Sequence, residues 1–228
     1  MNSRSSISDE VFEQMKNERF ERELQIEIRQ KKREQMERAL KHSGLDVLIK
    51  QKTFDDYIAE EPWQERAKAS CQRFAANPNG WLFVSGQTGA GKTHLCTAVA
   101  GELIKAGKIV WYMLYRQDIA KLKPMTGSDM PERERLMQIY RTAEVLYIDD
   151  LFKGGYTDAD VRVMFDLIDA RYRSDRITII SSELTMDDLE VIDEAIAGRI
   201  MEKSKKVIIK KDRQRNFRFK EWRRKLGL

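Results

Sequence analysis

Residues 86–93 read Gly-Gln-Thr-Gly-Ala-Gly-Lys-Thr, and no other segment restricts the fold as tightly. The pattern G-x(4)-G-K-[ST] carries meaning only between an apolar strand and a helix. Trp81–Val84 and Lys92–Lys105 supply that setting. Glycines let the backbone curl so that successive N–H groups point at phosphate oxygens, and the helix N-terminus adds its dipole. Gly86, Gln87, Thr88, Gly89, Ala90 and Gly91 are therefore expected to cradle the phosphates of ATP. Lys92 is expected to bridge the β- and γ-phosphates, and the Thr93 hydroxyl to help hold Mg2+. The dinucleotide fingerprint G-x-G-x-x-G is a different pattern.

The flanking sequence alternates in the way a parallel sheet requires. Ile109–Leu114, Val145–Ile148, Ile177–Ile180 and Val207–Ile209 are short β-branched or apolar runs. Helical patterns separate them: two pieces over 115–143 broken at Pro124–Pro131, one after the capping box Thr157-x-x-Asp160, and one over Met186–Met201. Near-continuous apolar strands joined by helices predict an α/β fold with a five-stranded parallel sheet covered on both faces. Val145–Ile148 ends in Asp149-Asp150, with one strand between it and the glycine-rich loop. Asp149 is placed to hold the Mg2+ water shell and Asp150 to polarise an attacking water. Small-molecule kinases usually lack this pair of acids. Ser181-Ser182-Glu183 should emerge beside them, where a polar side chain could read the γ-phosphate; an ordinary strand end is the competing reading.

The 228 residues carry a formal charge of +5, but the charge is divided. Residues 1–198 hold 29 basic and 34 acidic residues, whereas 199–228 hold 13 basic and 3 acidic. No apolar run approaches a membrane span, and Met1–Ser6 has no secretory character, so a cytoplasmic protein is expected. The cysteines and histidines (Cys71, Cys96, His42, His94) lack metal-ligand spacing, which argues against zinc and for reduced, buried thiols.

Asp9–Lys41 contains 9 acidic and 9 basic residues and neither Gly nor Pro. Ser8 is a candidate N-cap, Gly44 a stop, and Glu18–Arg22, Glu27–Lys31, Glu34–Arg38 and Glu37–Lys41 have the favourable i,i+4 orientation. Phe20, Leu24 and Ile28 make only a narrow apolar stripe. Such a helix is either self-supporting and solvated or an arm that docks on a partner. At the other end, Lys203–Lys225 interleaves cations with Phe217, Phe219 and Trp222, a composition suited to single-stranded nucleic acid or to a terminal helix packed on the core. Arg215, Phe217, Arg218 and Trp222 are the candidate DNA contacts there. A second candidate surface is Lys121, Lys123, Arg133, Arg135 and Arg141, diluted by Glu132 and Glu134.

Gly89-x-Gly91-Lys92-Thr93-His94-Leu95, Ile148-Asp149-Asp150-Leu151 and Ala197-Gly198-Arg199-Ile200 together resemble AAA+ ATPases of the DnaC/DnaI-type replicative helicase loaders, including phage and prophage versions. The likeness covers roughly Thr53 to Lys211. It implies an arm over 1–50 that grips a hexameric replicative helicase, an AAA+ ATPase domain over 51–211, and a basic aromatic tail over 212–228. It also implies that His94 belongs with the nucleotide-binding residues, that Thr53–Tyr57 lies on the adenine side, and that Arg199 is an arginine finger acting in trans in a homo-oligomer. From the residues alone, Arg199 is equally a surface arginine on a helix. Two departures from the family pattern stand out. The strand-end position usually held by Asn is Glu183, which leaves Ser182 or an altered sensor, and the N-terminal zinc module of some loaders is missing. Too few residues follow Arg199 for a separate helical lid, so a second arginine sensor would have to come from the tail, with Arg215 or Arg218 as candidates.

The function expected is ATP-dependent loading of a replicative helicase onto single-stranded DNA. The alternatives are a transposition helper ATPase of the IstB type, which shares the core and differs in partner, and a P-loop kinase for a small molecule.

Overall fold

The computed structural model describes residues 5–123, 130–212 and 215–226, and leaves the side chains of 5–10, 42, 43, 218, 220 and 221 undescribed. The chain divides into two units, Met1–Arg38 and Ala39–Leu228. The first is the body of helix α1 (Ser5–Ser43), which runs unbroken, as the absence of Gly and Pro predicts. At ~1.5 Å per residue its 39 residues extend about 58 Å. Glu18–Arg22 and Glu27–Lys31 pair as expected, while Glu37 pairs with Arg33 instead of Lys41. Phe12, Phe20, Leu24 and Ile28 are all exposed.

The second unit opens with a helix that the sequence reading merged into the arm. Gly44 does end α1, in the left-handed region at φ 68°, but α2 (Leu45–Gln51) starts at once. Ala39 and Leu45 are fully buried, and Leu48 and Ile49 pack with them on the core. After α3 (Pro62–Ala76), started by a Glu61–Gln64 capping box, come β1 (Trp81–Ser85), α4 (Lys92–Lys105) and β2 (Val110–Leu114). Next are α5 (Tyr115–Leu122), α6 (Met130–Thr142), β3 (Val145–Leu151), α7 (Asp158–Arg173) and β4 (Ile177–Ser182). Pro124 lies outside the described residues.

The stretch expected as one helix over Met186–Met201 is two. Asp193 leaves helical geometry and its carboxylate accepts the Ile196 N–H at 2.7 Å, so α8 (Met186–Ile192) stops and α9 (Glu194–Lys203) begins. Strand β5 (Ser204–Ile208) follows, and then, among the described residues, a single α-helix, α10 (Phe217–Leu226), rather than a multi-helix lid.

All strand pairs are parallel, in the order β2-β3-β4-β1-β5. Side chains alternate between the two faces, so Trp81 and Phe83 enter one hydrophobic cluster and Leu82 and Val84 the other. Both faces are covered, by α5, α6, α7 and α9 on one side and α2, α3 and α4 on the other, which is why the strands read as unbroken apolar runs. Within the first layer lies Arg171, fully buried. Its guanidinium donates to Thr178 Oγ1 at 2.9 Å and to the carbonyls of Tyr140 (2.8 Å), Ala143 (3.1 Å) and Ile177 (2.6 Å). Those carbonyls belong to the end of α6, to the link between α6 and β3, and to the start of β4. No helix among the described residues is long and apolar enough to cross a membrane.

Candidate nucleotide site

The strand order puts the carboxyl ends of β1, β4 and β3 side by side, and in open α/β sheets ligands bind outside those ends. The loop after β1 curls over them. Gly91 caps α4 with φ 86°, and a Cβ there would come 2.9 Å from the Tyr57 ring. Gly89 (φ 78°) has no room for a Cβ either, because the Asn216 side chain occupies that space. Lys92 is 5% exposed; its Nζ donates to the Gln87 carbonyl at 3.0 Å and stands 3.9 Å from Glu183. Burial lowers the Lys92 pKa, against the opposing pull of Glu183, Asp150 and Asp149.

Thr93 Oγ1 donates to Asp149 Oδ1 at 3.2 Å. Asp149 is buried and held by three further hydroxyls, those of Tyr112 (3.0 Å), Tyr147 (2.8 Å) and Ser181. Ser181 emerges beside Asp149 as expected, whereas sequence reasoning missed Tyr112 and Tyr147 as its partners; the alternation along β2 and β3 is the signal that could have placed them there. Burial, and then the Asp149 charge, raise the pKa values of Tyr112 and Tyr147, so both remain donors.

The pairing of β3 with β4 slips between Ile148 and Leu151, just where the two acids sit. Asp150 takes up φ 58°, and the serines of β4 replace the lost ladder bonds: Asp150 N–H donates to Ser181 Oγ (2.9 Å), and Ser182 Oγ donates to the Leu151 carbonyl (2.9 Å). Ser182 Oγ also accepts from Leu184 N–H at 3.1 Å. Ser182 is thus fully buried in backbone contacts and does not line the pocket, whereas Glu183 does. Glu183 accepts from Thr88 Oγ1 (2.7 Å) and pairs with Lys153 (3.0 Å), which also bonds Asp150 (2.9 Å).

These groups edge a cavity of about 310 Å3, within the range of ligand pockets. Its far side is apolar and comes from Tyr57, Ile58 and Trp63. His94 Nε2 is bonded to the Thr53 carbonyl at 2.7 Å and meets Tyr57 edge-on, which ties α4 to this wall. Burial lowers the His94 pKa and pushes the Tyr57 hydroxyl up to about 12. The Tyr57 hydroxyl is buried with no hydrogen-bond partner among the described residues, as a group awaiting a ligand would be. With room for phosphates at the loop, a Thr93–Asp149 pair for a hydrated cation and an aromatic wall, the residues fit ATP and Mg2+.

The tail reaches this cavity. Arg215 and Phe217 line it, with the Arg215 guanidinium 5.3 Å from the centre of the Trp63 ring. Gln87 exchanges hydrogen bonds with the Asp212 backbone (2.6 and 2.7 Å), and the Phe217 N–H donates to the Gly89 carbonyl (3.0 Å). Two of the candidate DNA contacts are therefore positioned at the nucleotide pocket. Trp222 is exposed, and the Arg218 side chain lies outside the described residues. Lys121 and Lys123 are paired with Asp118 (2.7 Å) and Asp160 (2.9 Å). Arg199, on α9, does not line the cavity. It is bonded to Asp169 (2.7 and 3.1 Å) and lies over the rings of Phe165 and Tyr172.

Comparison with known proteins agrees with this geometry. An uncharacterized protein of Bacillus subtilis, YqaM, is 31% identical over 209 residues, which span 84% of this chain and 66% of that protein. The replicative helicase loader DnaC of Buchnera aphidicola (subspecies Acyrthosiphon pisum) is 28% identical over 161 residues, 69% of this chain and 65% of the loader. The chain thus spans just under two thirds of the length of either relative. The crystal structure of the DnaC helicase loader superposes with a TM-score of 0.60 at 23% identity, covering 69% of this chain and 96% of that one, a likeness of AAA+ fold. Residues 5–222 match the family described as IstB-like ATP binding protein, so the chain belongs to that family of ATP-binding proteins.

Proposed function

We propose that this protein is an ATP-hydrolysing loader of a replicative helicase, working in the cytoplasm as a homo-oligomer. The observation that carries the ATPase half is the convergence of Lys92, Thr93 and Asp150 on the cavity, with Asp149 bonded to Thr93 behind them. Lys92 would draw the β- and γ-phosphates, Thr93 and Asp149 would hold hydrated Mg2+, and Asp150 would polarise the attacking water. Bound Mg2+ would supply neutralising charge between the phosphates. Glu183, in the place usually given to Asn, would face the γ-phosphate with Thr88, while Ser182 keeps β3 and β4 in register. Arg199 of a neighbouring copy would complete the site.

The loader half is supported by the relative named a helicase loader and by the arm, whose exposed Phe12, Phe20 and Leu24 offer a seam for another helix. A Phe12→Ala/Phe20→Ala/Leu24→Ala variant of the full chain is expected to lose capture of a hexameric replicative helicase while binding ATP as before. Unimpaired capture would move the contact off the arm. The transposition-helper reading is favoured by the family description itself; capture of a transposase rather than a helicase in the same assay would select it.

Single-stranded DNA would bind along α10, where Trp222 and Phe219 are exposed and Arg223 lies beside the glycine-rich loop, while Arg224 pairs with Glu60 at 4.0 Å. Deleting the whole tail would also remove Arg215 and Phe217 from the nucleotide pocket, so point changes are the cleaner test. Trp222→Ala/Arg223→Ala is expected to weaken DNA binding and to reduce the salt-dependence slope by about 1. An unchanged slope places the contacts elsewhere.

A further inference from the structure

Lys153 has no role in the scheme above, yet its ammonium is shared by two carboxylates at the phosphate end of the cavity, Asp150 at 2.9 Å and Glu183 at 3.0 Å. Its placement depends on a strained turn. Asp150 and Phe152 both lie in the left-handed region at φ 58°, which non-glycine residues rarely adopt, and Lys153 N–H closes the turn on the Asp150 carbonyl at 3.0 Å. Phe152 fixes the turn from beneath, buried edge-on against Tyr115 and Tyr156. The result directs a half-exposed lysine back towards the glycine-rich loop rather than out to solvent.

We propose that Lys153 is a second phosphate-reading lysine, which makes a pocket carrying Glu183 acceptable to a nucleoside triphosphate. The inference rests on reading the cavity as a nucleotide site. Glu183 is bonded to Thr88 of the loop and stands 3.9 Å from Lys92 Nζ, within reach of whatever Lys92 binds. A bare carboxylate there would repel a γ-phosphate. Although burial pushes the Glu183 pKa up, hydrogen bonds from Thr88 and Lys153 and the charges of Lys92 and Lys153 bring it below the usual value, so the group is ionised. The ammonium of Lys153 cancels that charge. It carries three donors, and the two carboxylates occupy two of them. The third is left for a phosphate oxygen. A diphosphate lacks the γ-phosphate that this lysine would meet, so the lysine would favour ATP over ADP.

The test is equilibrium titration of the full chain with Mg-ATP and with Mg-ADP. Lys153→Ala is expected to weaken ATP roughly 10–100-fold, the worth of one charge-assisted hydrogen bond, and ADP less than about threefold. Lys153→Gln, which keeps the side-chain stem, should behave alike, and Lys153→Arg should retain most of the preference. Adding Glu183→Asn to Lys153→Ala should recover about tenfold or more of the lost ATP affinity, because the carboxylate that needed cancelling is gone. Equal losses for the two nucleotides, no loss, or no rescue by Glu183→Asn overturns the proposal while leaving the nucleotide site standing. A wild-type protein that binds neither nucleotide overturns both.

Discussion

Arg199→Ala is expected to reduce assembly-stimulated ATP hydrolysis about 1,000-fold or more, while ATP affinity changes less than about twofold. The split follows from position. Arg199 is on α9, outside the cavity, and among the described residues reaches Asp169, the Ala195 carbonyl and two aromatic rings. Its removal leaves every residue around Lys92 in place. On the proposed reading, what disappears is a charge that a neighbouring copy would deliver to the phosphates. The decisive measurement mixes Arg199→Ala subunits with Lys92→Ala subunits. Each is inactive alone, and together they should regain hydrolysis, because an intact pocket then faces an intact arginine. Failure of the mixture to regain activity, or a parallel loss of ATP affinity in Arg199→Ala, would refute action in trans. The contact with Asp169 adds a detail: this guanidinium is pre-aligned by a carboxylate that Arg173 also holds, at 2.6 Å. A lysine at 199 keeps the charge but lacks the fork, and recovers little.

The second large effect is on stability. Arg171→Ala is expected to lower the unfolding free energy by about 3–5 kcal/mol, read as a shift in urea midpoint, with a melting temperature about 10 °C lower. The guanidinium closes the carbonyls at the end of α6 and binds the α6–β3 link and the start of β4. Without it three buried acceptors lose their donors and a side-chain-sized void opens. Arg171→Met refills the void but not the hydrogen bonds, so it should recover only part of the loss. A change below about 1 kcal/mol for either variant would mean that water enters and replaces the donors.

Arg171 also marks the limit of what the sequence discloses. On an amphipathic helix with Asp166, Asp169 and Arg173 nearby it looks like another solvated charge, and nothing local indicates that it points inward. The features that could be read were short-range ones: the glycine-rich loop between its strand and helix, the apolar strands, the Thr157–Asp160 capping box and the uninterrupted charged helix. Each is set by neighbours within a turn or two. The features that could not be read join distant segments. The Tyr112 hydroxyl reaches Asp149 from 37 residues away. The register slip at Asp149-Asp150 exists only once β3 meets β4. The break at Asp193 was legible in principle, since Asp is a good N-cap, but the apolar periodicity on either side hid it. Among the residues lining the cavity, Lys92, Thr93 and Asp150 stand in motifs and Tyr57 in a segment marked by resemblance, whereas nothing in the sequence singles out Lys153.

The attachment of the tail to the glycine-rich loop carries a thermodynamic obligation. The Gly89 carbonyl and the Gln87 amide are bonded to Phe217 and Asp212, at the root of α10. If α10 takes up DNA as proposed, occupancy of the loop and occupancy of that helix are linked equilibria. Whatever factor a nucleotide would apply to the affinity of α10 for that DNA, the DNA would return to the nucleotide. The two ends of the same contact cannot be tuned separately, and a change at Gln87 would be felt at both.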